Sequence, residues 1–144
     1  VAGARHAYDV GELETSRHVI PALVRAARSE GAFEFNRFQR DFIHVGDVAR
    51  LLARAATQGS PDDVGVYEVG RGKAVSETDL LDVAAEVMPE FCIEQARLVG
   101  EPKGHPAKIV SPTASLPEFD WGPQKALADM VWSEYEWQAS QDRG

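Results

Sequence analysis

Three features of this 144-residue chain predict an α/β fold. Short runs rich in β-forming residues alternate with segments whose apolar residues recur at helical spacing. Gly and Pro fall between these runs and seldom inside them, so they act as punctuation. No internal repeat or long linker divides the chain, and its length suits one modest core that buries roughly two-thirds of the surface the unfolded chain would expose.

Taken in order, Val1 and Ala2 give a short apolar start, and the polar stretch 5–15 reads as a strand end and loop. The HVIPALVRAAR segment predicts a helix from near His18 to about Ser29, with Pro21 in its first turn, where a missing N–H costs nothing, and Gly31 as its stop. Alternation at 32–36 predicts a short strand, and DFIHV at 41–45 a second extended piece. From Asp47, the apolar set Val48, Leu51, Leu52 and Ala55 predicts a helix ended by Gly59, Ser60 and Pro61. GVYEVG at 65–70 reads as a strand bounded by glycines. Ser76 followed three residues later by Asp79 makes a capping-box-like start for a helix carrying Leu80, Val83, Ala84 and Val87, stopped by Pro89. Residues 91–94 read as one more strand, and 99–118 as a punctuated loop with an extended piece at 108–110. A D-W-G-P turn at 120–123 then precedes a final helix over about 124–139, with Leu127, Met130, Val131 and Tyr135 on one side.

Composition narrows the functional classes. With 15 Lys+Arg against 23 Asp+Glu, the net charge of −8 argues against a nucleic-acid backbone as partner, since that affinity depends on many cations releasing counterions. A small anionic ligand needs only a local cluster of Arg or Lys working against the acidic background. No run of eighteen apolar residues and no signal-peptide pattern is present, so neither a membrane partner nor export is expected. The lone Cys92 has no intrachain disulfide partner, which suits a reducing, cytoplasmic setting. The four histidines, His6, His18, His44 and His105, are too dispersed for a recognisable metal set. The sequence has no G-x-G-x-x-G, P-loop, G-x-S-x-G, H-E-x-x-H or C-x-x-C, and no Tyr followed four residues on by Lys. Opening at Val1 without Met, inside what reads as structure, the chain is expected to be a fragment or a processed product.

Five stretches, in order, change this reading: SRHVIPALVRAA (16–27), RDFIHVGDVARLLARA (40–55), VYEVGRGKAVSETDLLDVAAEV (66–87), GHPAKIV (104–110) and FDWGPQKALADMVWSEYEW (119–137). Together they resemble the nucleotide-sugar epimerases and reductases of the extended short-chain dehydrogenase/reductase family, most closely its GDP-fucose synthase-like branch. The resemblance covers nearly the whole chain, with GARHAYD at 3–9 loosely similar to a family segment well past the middle of the full-length enzymes. It implies the C-terminal, substrate-binding portion of a Rossmann-type fold: a small mixed sheet with helices, lacking the N-terminal cofactor half. It further implies that NAD or NADP is held by that half, which carries the Gly-rich loop and the Tyr-x-x-x-Lys pair, so that the 144 residues bind no cofactor alone. The complete enzyme is expected to take a nucleotide sugar and to form a homo-oligomer.

Four residues carry over as site candidates. A nucleotide sugar presents a pyrophosphate with about two negative charges, best matched by bidentate guanidinium contacts. Arg40 matches the family position that contacts substrate phosphate, and Lys108 the second cation of the family's G-x-P-R-[RK] motif, whose first cation is replaced here by Ala107. Without the resemblance both would read as solvated charges. His18 matches a histidine used as general acid in epimerisation, a task suited to an imidazole titrating near neutrality; the alternative is a helix cap or a packing partner of Tyr8. Arg25 is a nucleotide contact or an exposed charge. His44 and Asp47 read as structural, His44 as a packed junction residue and Asp47 as a charge near a helix N-terminus. Cys92, Trp121, Trp132 and Trp137 read as core or inter-domain packing. Gly46 stands where the family often has an acidic residue, and FEFNRFQR at 33–40 is shorter than the family's loop along the nucleotide. These departures leave a non-catalytic remnant, a sugar-nucleotide sensor or oligomerisation partner, as the competing reading.

Overall fold

The computed structural model describes residues 19–29, 31–100, 108–111 and 115–142. The helical spacing after His18 is realised in α1, Val19–Arg28, which has Pro21 in its first turn and buries Leu23, Val24, Ala26 and Ala27. The side-chain amide of Gln95 bridges the end of this helix and the turn after it, donating to Ala26 O at 3.2 Å and Gly31 O at 3.0 Å. Those two bonds hold the approach to β4 (Ala96–Gly100) beside the start of β1 (Phe33–Asn36), and the strands pair in parallel with Phe33 opposite Ala96. The strand expected at 91–94 therefore begins later. Gln95 accepts the N–H of Cys92 at 2.9 Å, which folds 92–95 into a turn and delays the ladder to Ala96.

A second sheet is assembled from three two-residue strands. In it, β2 (Gln39–Arg40) lies between β3 (Val75–Ser76), antiparallel, and β5 (Lys108–Ile109), parallel. The extended piece expected at 41–45 pairs one step earlier, at 39–40, because Asp41 meets its neighbours with its carboxylate and not its backbone. Phe42 and Ile43 then enter two different cores, Phe42 with residues of α1 and β1 and Ile43 with Leu51, Leu116, Phe119 and Trp121.

The helix expected from Asp47 is α2, Val45–Gln58, and it starts earlier because His44 caps it: Nδ1 accepts the N–H of Gly46 at 2.9 Å. Leu51 is buried, whereas Leu52, expected on the same face, is 53% exposed. GVYEVG forms no strand. Its residues alternate, with Tyr67 and Val69 packed on the second core and Val66 exposed, but no partner strand meets them among the described residues. The capping box at Ser76 and Asp79 starts α3, Glu77–Val87, as the sequence predicts. The closing helix, α4 (Leu127–Gln141), packs on α1 and α3, and buried Gln138 donates to Pro21 O at 3.0 Å. Of the residues expected in packing, Trp121 is buried and donates its indole N–H to Asp47 O at 2.8 Å. Trp132 and Trp137 are partly exposed, and Cys92 is exposed, its thiol turned to Glu94 outside the core.

Candidate functional site

Asp41, beside Arg40, is the point on which the second sheet and its loops converge. Its carboxylate accepts the backbone N–H of Arg71 at 2.9 Å, of Gly72 at 2.8 Å and of Ser111 at 3.2 Å. One side chain thus ties together the R-D-F-I-H-V run, the V-G-R-G turn and the segment following β5. The local sequence permits this closeness at two glycines. A Cβ at Gly70 would overlap the Asp41 carboxylate and the Ser111 side chain, and Gly72 takes φ 66°, the left-handed region that glycine enters without penalty.

Arg40 is half-buried in β2 and donates from Nη1 to Gln39 O at 3.1 Å. Backbone pairing sets Arg40 across from Ile109 and Gln39 across from Lys108, so the two predicted phosphate cations occupy adjacent register positions on neighbouring strands. Arg25 is not on this sheet: it is exposed in the last turn of α1, which packs against β1 and α4. His18 lies outside the described residues.

A second carboxylate, Asp47, has a structural task. It is 2% exposed, pairs with Arg50 at 2.8 Å, and accepts the N–H groups of Gln124 and Lys125 at 3.0 and 2.9 Å. Burial pushes its carboxyl up, but the Arg50 hydrogen bond, the two backbone donors and the Arg50 charge outweigh that and hold it below the usual aspartate range. Asp47 is structural, as the sequence suggests, and His44 serves the helix start, its Nδ1 accepting the N–H of Gly46 at 2.9 Å while its Nε2 meets Ser133 Oγ at 3.1 Å.

A cleft of about 310 Å³ opens between Pro21, His44, Val45, Met130 and Trp137. Among the described residues no Lys or Arg lines it. Among the described residues no three His, Cys, Asp or Glu gather as a metal set, and no helix is long and apolar enough to cross a membrane. Sequence reading missed Asp41 and Arg71. The available signal was the pair of glycines flanking Arg71, which marks a backbone that must approach something closely.

Residues 1–70 match the model of the NAD dependent epimerase/dehydratase family. The chain is 28% identical over 106 residues to a probable UDP-arabinose 4-epimerase 3 of Oryza sativa subsp. japonica, an alignment covering 73% of this chain and 26% of that protein. In structure it is similar to the UDP-glucose-4-epimerase of Stenotrophomonas maltophila solved with NAD and formylated UDP-arabinopyranose, with TM-score 0.77, 21% identity, and coverage of 92% of this chain and 43% of that one. It is also similar to the dTDP-glucose 4,6-dehydratase of Bacillus anthracis in complex with NAD, with TM-score 0.72, 18% identity, and coverage of 87% and 40%. The chain therefore has a mixed α/β fold matching that of the Rossmann-type extended short-chain dehydrogenases, spans about two-fifths of those solved chains, and carries over residues 1–70 the sequence pattern of the NAD dependent epimerase/dehydratase family.

Proposed function

We propose that this chain is the nucleotide-sugar-binding, C-terminal part of a cytoplasmic, homo-oligomeric NAD(P)-dependent epimerase or reductase. The observation that carries the reading is the convergence on Asp41. Two of the five family-like stretches, 40–55 and 66–87, supply Asp41 and the amides of Arg71 and Gly72, and Ser111, directly after a third, completes the group around its carboxylate, beside Arg40. On this reading Arg40 and Lys108 hold the substrate diphosphate by charge-assisted hydrogen bonds, which guanidinium geometry favours. His18 donates a proton to the sugar during epimerisation, and Arg25 contacts the nucleotide. The dinucleotide fits residues outside these 144, since the sequence has neither a Gly-rich phosphate loop nor a Tyr-x-x-x-Lys pair. When held there, NAD or NADP would supply the hydride chemistry. This chain's part is to bind and orient the sugar nucleotide.

HVIPAL at 18–23 supports the GDP-fucose synthase-like, epimerase-reductase branch. A second reading, 4-epimerase or 4,6-dehydratase, draws on the names of the relatives, two 4-epimerases and one 4,6-dehydratase. The replaced cation at Ala107, Gly46 and the short 33–40 loop instead favour a non-catalytic sensor or oligomerisation partner. One experiment separates them: the chain assembled with its NAD(P)-binding half is incubated with GDP-, UDP- and dTDP-hexoses, and the products are resolved by NMR. Reduced, epimerised GDP-sugar supports the first reading. Inversion at C4, or loss of water, supports the second. Binding without turnover identifies the non-catalytic form, and neither binding nor turnover from a folded assembly overturns the proposal.

A further inference from the structure

Arg71 is the residue of this region whose chemistry is not yet used. Its backbone N–H and that of Gly72 are bound by the two oxygens of Asp41, so the turn is held at two successive amides. Gly70 before it cannot accept a side chain without collision, and Gly72 after it requires a left-handed backbone, so the sequence around Arg71 is committed to this geometry. Arg40 adjoins Asp41 in the chain, about 3.8 Å away by Cα, and the backbones of the two arginines are thereby linked through one carboxylate.

Arg71 is half-buried, yet among the described residues its guanidinium makes no hydrogen bond, ion pair or ring contact. The acids of the adjoining segments have other partners: Asp41 binds three amides, Glu77 pairs with Arg37 at 3.7 Å and accepts the N–H of Phe38 at 3.3 Å, and Glu68, three residues before Arg71, is also engaged. A partly desolvated cation without an acidic partner favours an anion from solution. The ligand class follows from the charges. A diphosphate offers two phosphate groups, one for each of two arginines carried by separate segments that Asp41 joins, whereas a monophosphate offers one.

We propose that Arg71 is a specificity-determining residue that, together with Arg40, binds the diphosphate of a nucleoside diphosphate ligand. This inference rests on the nucleotide-sugar reading and deepens it. Arg71 supplies the second guanidinium in a chain that has Ala107 in place of a cation.

The test is calorimetric titration of the assembly of this chain with its NAD(P)-binding half, using UDP, GDP and dTDP and the matching monophosphates as probes. Asp41 grips the main chain of residue 71, so Arg71→Ala should keep the turn and the parent's melting temperature. It is expected to weaken the diphosphate at least tenfold and the monophosphate by less, with Arg71→Lys intermediate because a point charge replaces a bidentate fork. If Arg71→Ala binds diphosphates as the parent does while Arg40→Ala loses them, Arg71 has no such role and the nucleotide-sugar reading survives. If the folded parent binds none of the diphosphates, that reading fails and this inference fails with it.

Discussion

Asp41 and Asp47, six positions apart, use the same chemistry for different ends. Each carboxylate collects backbone N–H groups from distant segments, Asp41 to shape the candidate phosphate site and Asp47 to fix the approach to α4. Asp47→Ala removes the acceptor of two part-buried amides and one of the two acceptors of Arg50, which keeps Gly122 O, and is expected to cost about 1–3 kcal/mol in urea unfolding. Because the folded carboxyl titrates below its ordinary value of 3.8, its stabilisation is complete above that value and is lost as pH falls through the lower, folded value. Urea midpoints from neutral to acid should therefore fall more steeply for the parent than for Asp47→Asn; equal slopes would refute the assignment. Gly70→Ala tests the other carboxylate. The added methyl group must displace Asp41 or Ser111, costing about 1–3 kcal/mol and weakening nucleotide binding; unchanged stability and binding would show that the turn is dispensable. Sequence reading placed Asp47 correctly as structural because a charge near a helix start has a local signature. Asp41 escaped it because its partners lie 30 to 70 residues away.

At the scale of elements, the helices were legible and the short strands were not. Helix starts are written locally: Ser76 and Asp79 make two reciprocal bonds across one turn, and that box is visible as a tetrapeptide. Ser76→Ala is expected to cost about 1 kcal/mol, read as a lower thermal midpoint; an unchanged midpoint would show that α3 stands on packing alone. His44 caps α2 through a ring nitrogen, a less common acceptor that the sequence reading passed over. His44→Asn, which keeps an acceptor, should retain more stability than His44→Ala, and equality of the two would remove the cap from the account. Strands depend on partners that the sequence does not name. GVYEVG alternates well yet forms no ladder among the described residues, and in DFIHV the pairing has already stopped at Arg40 while Val45 opens α2. The two-residue strands β2, β3 and β5 exist because Asp41 and the capped start of α3 bring their chains together, not because of β propensity.

For the whole molecule, the balance of burial bears on how the chain works. Val45, Leu52, Val66, Leu98, Val99, Trp132 and Trp137 are all exposed, and among the described residues β1 and β4 form a sheet of two strands. Such apolar surface favours association. The isolated chain is expected to self-associate with rising concentration in light scattering and to bind a hydrophobic dye, and both effects should decrease when the NAD(P)-binding half is supplied; a monomeric, dye-negative chain would contradict this. The net charge of −8 also acquires a more specific meaning, since the cations Arg37, Arg40, Arg71, Lys73 and Lys108 lie on or next to the strands of the second sheet. On the proposed reading, a small anion would be bound by a local field against the global one. The most direct measurement of the central claim is calorimetric titration of the assembled protein with UDP, GDP and dTDP, parent beside Arg40→Ala. The account predicts saturable binding of at least one nucleoside diphosphate by the parent, weakened tenfold or more by the substitution with folding intact. No binding by a folded parent, or equal binding by both proteins, would contradict it.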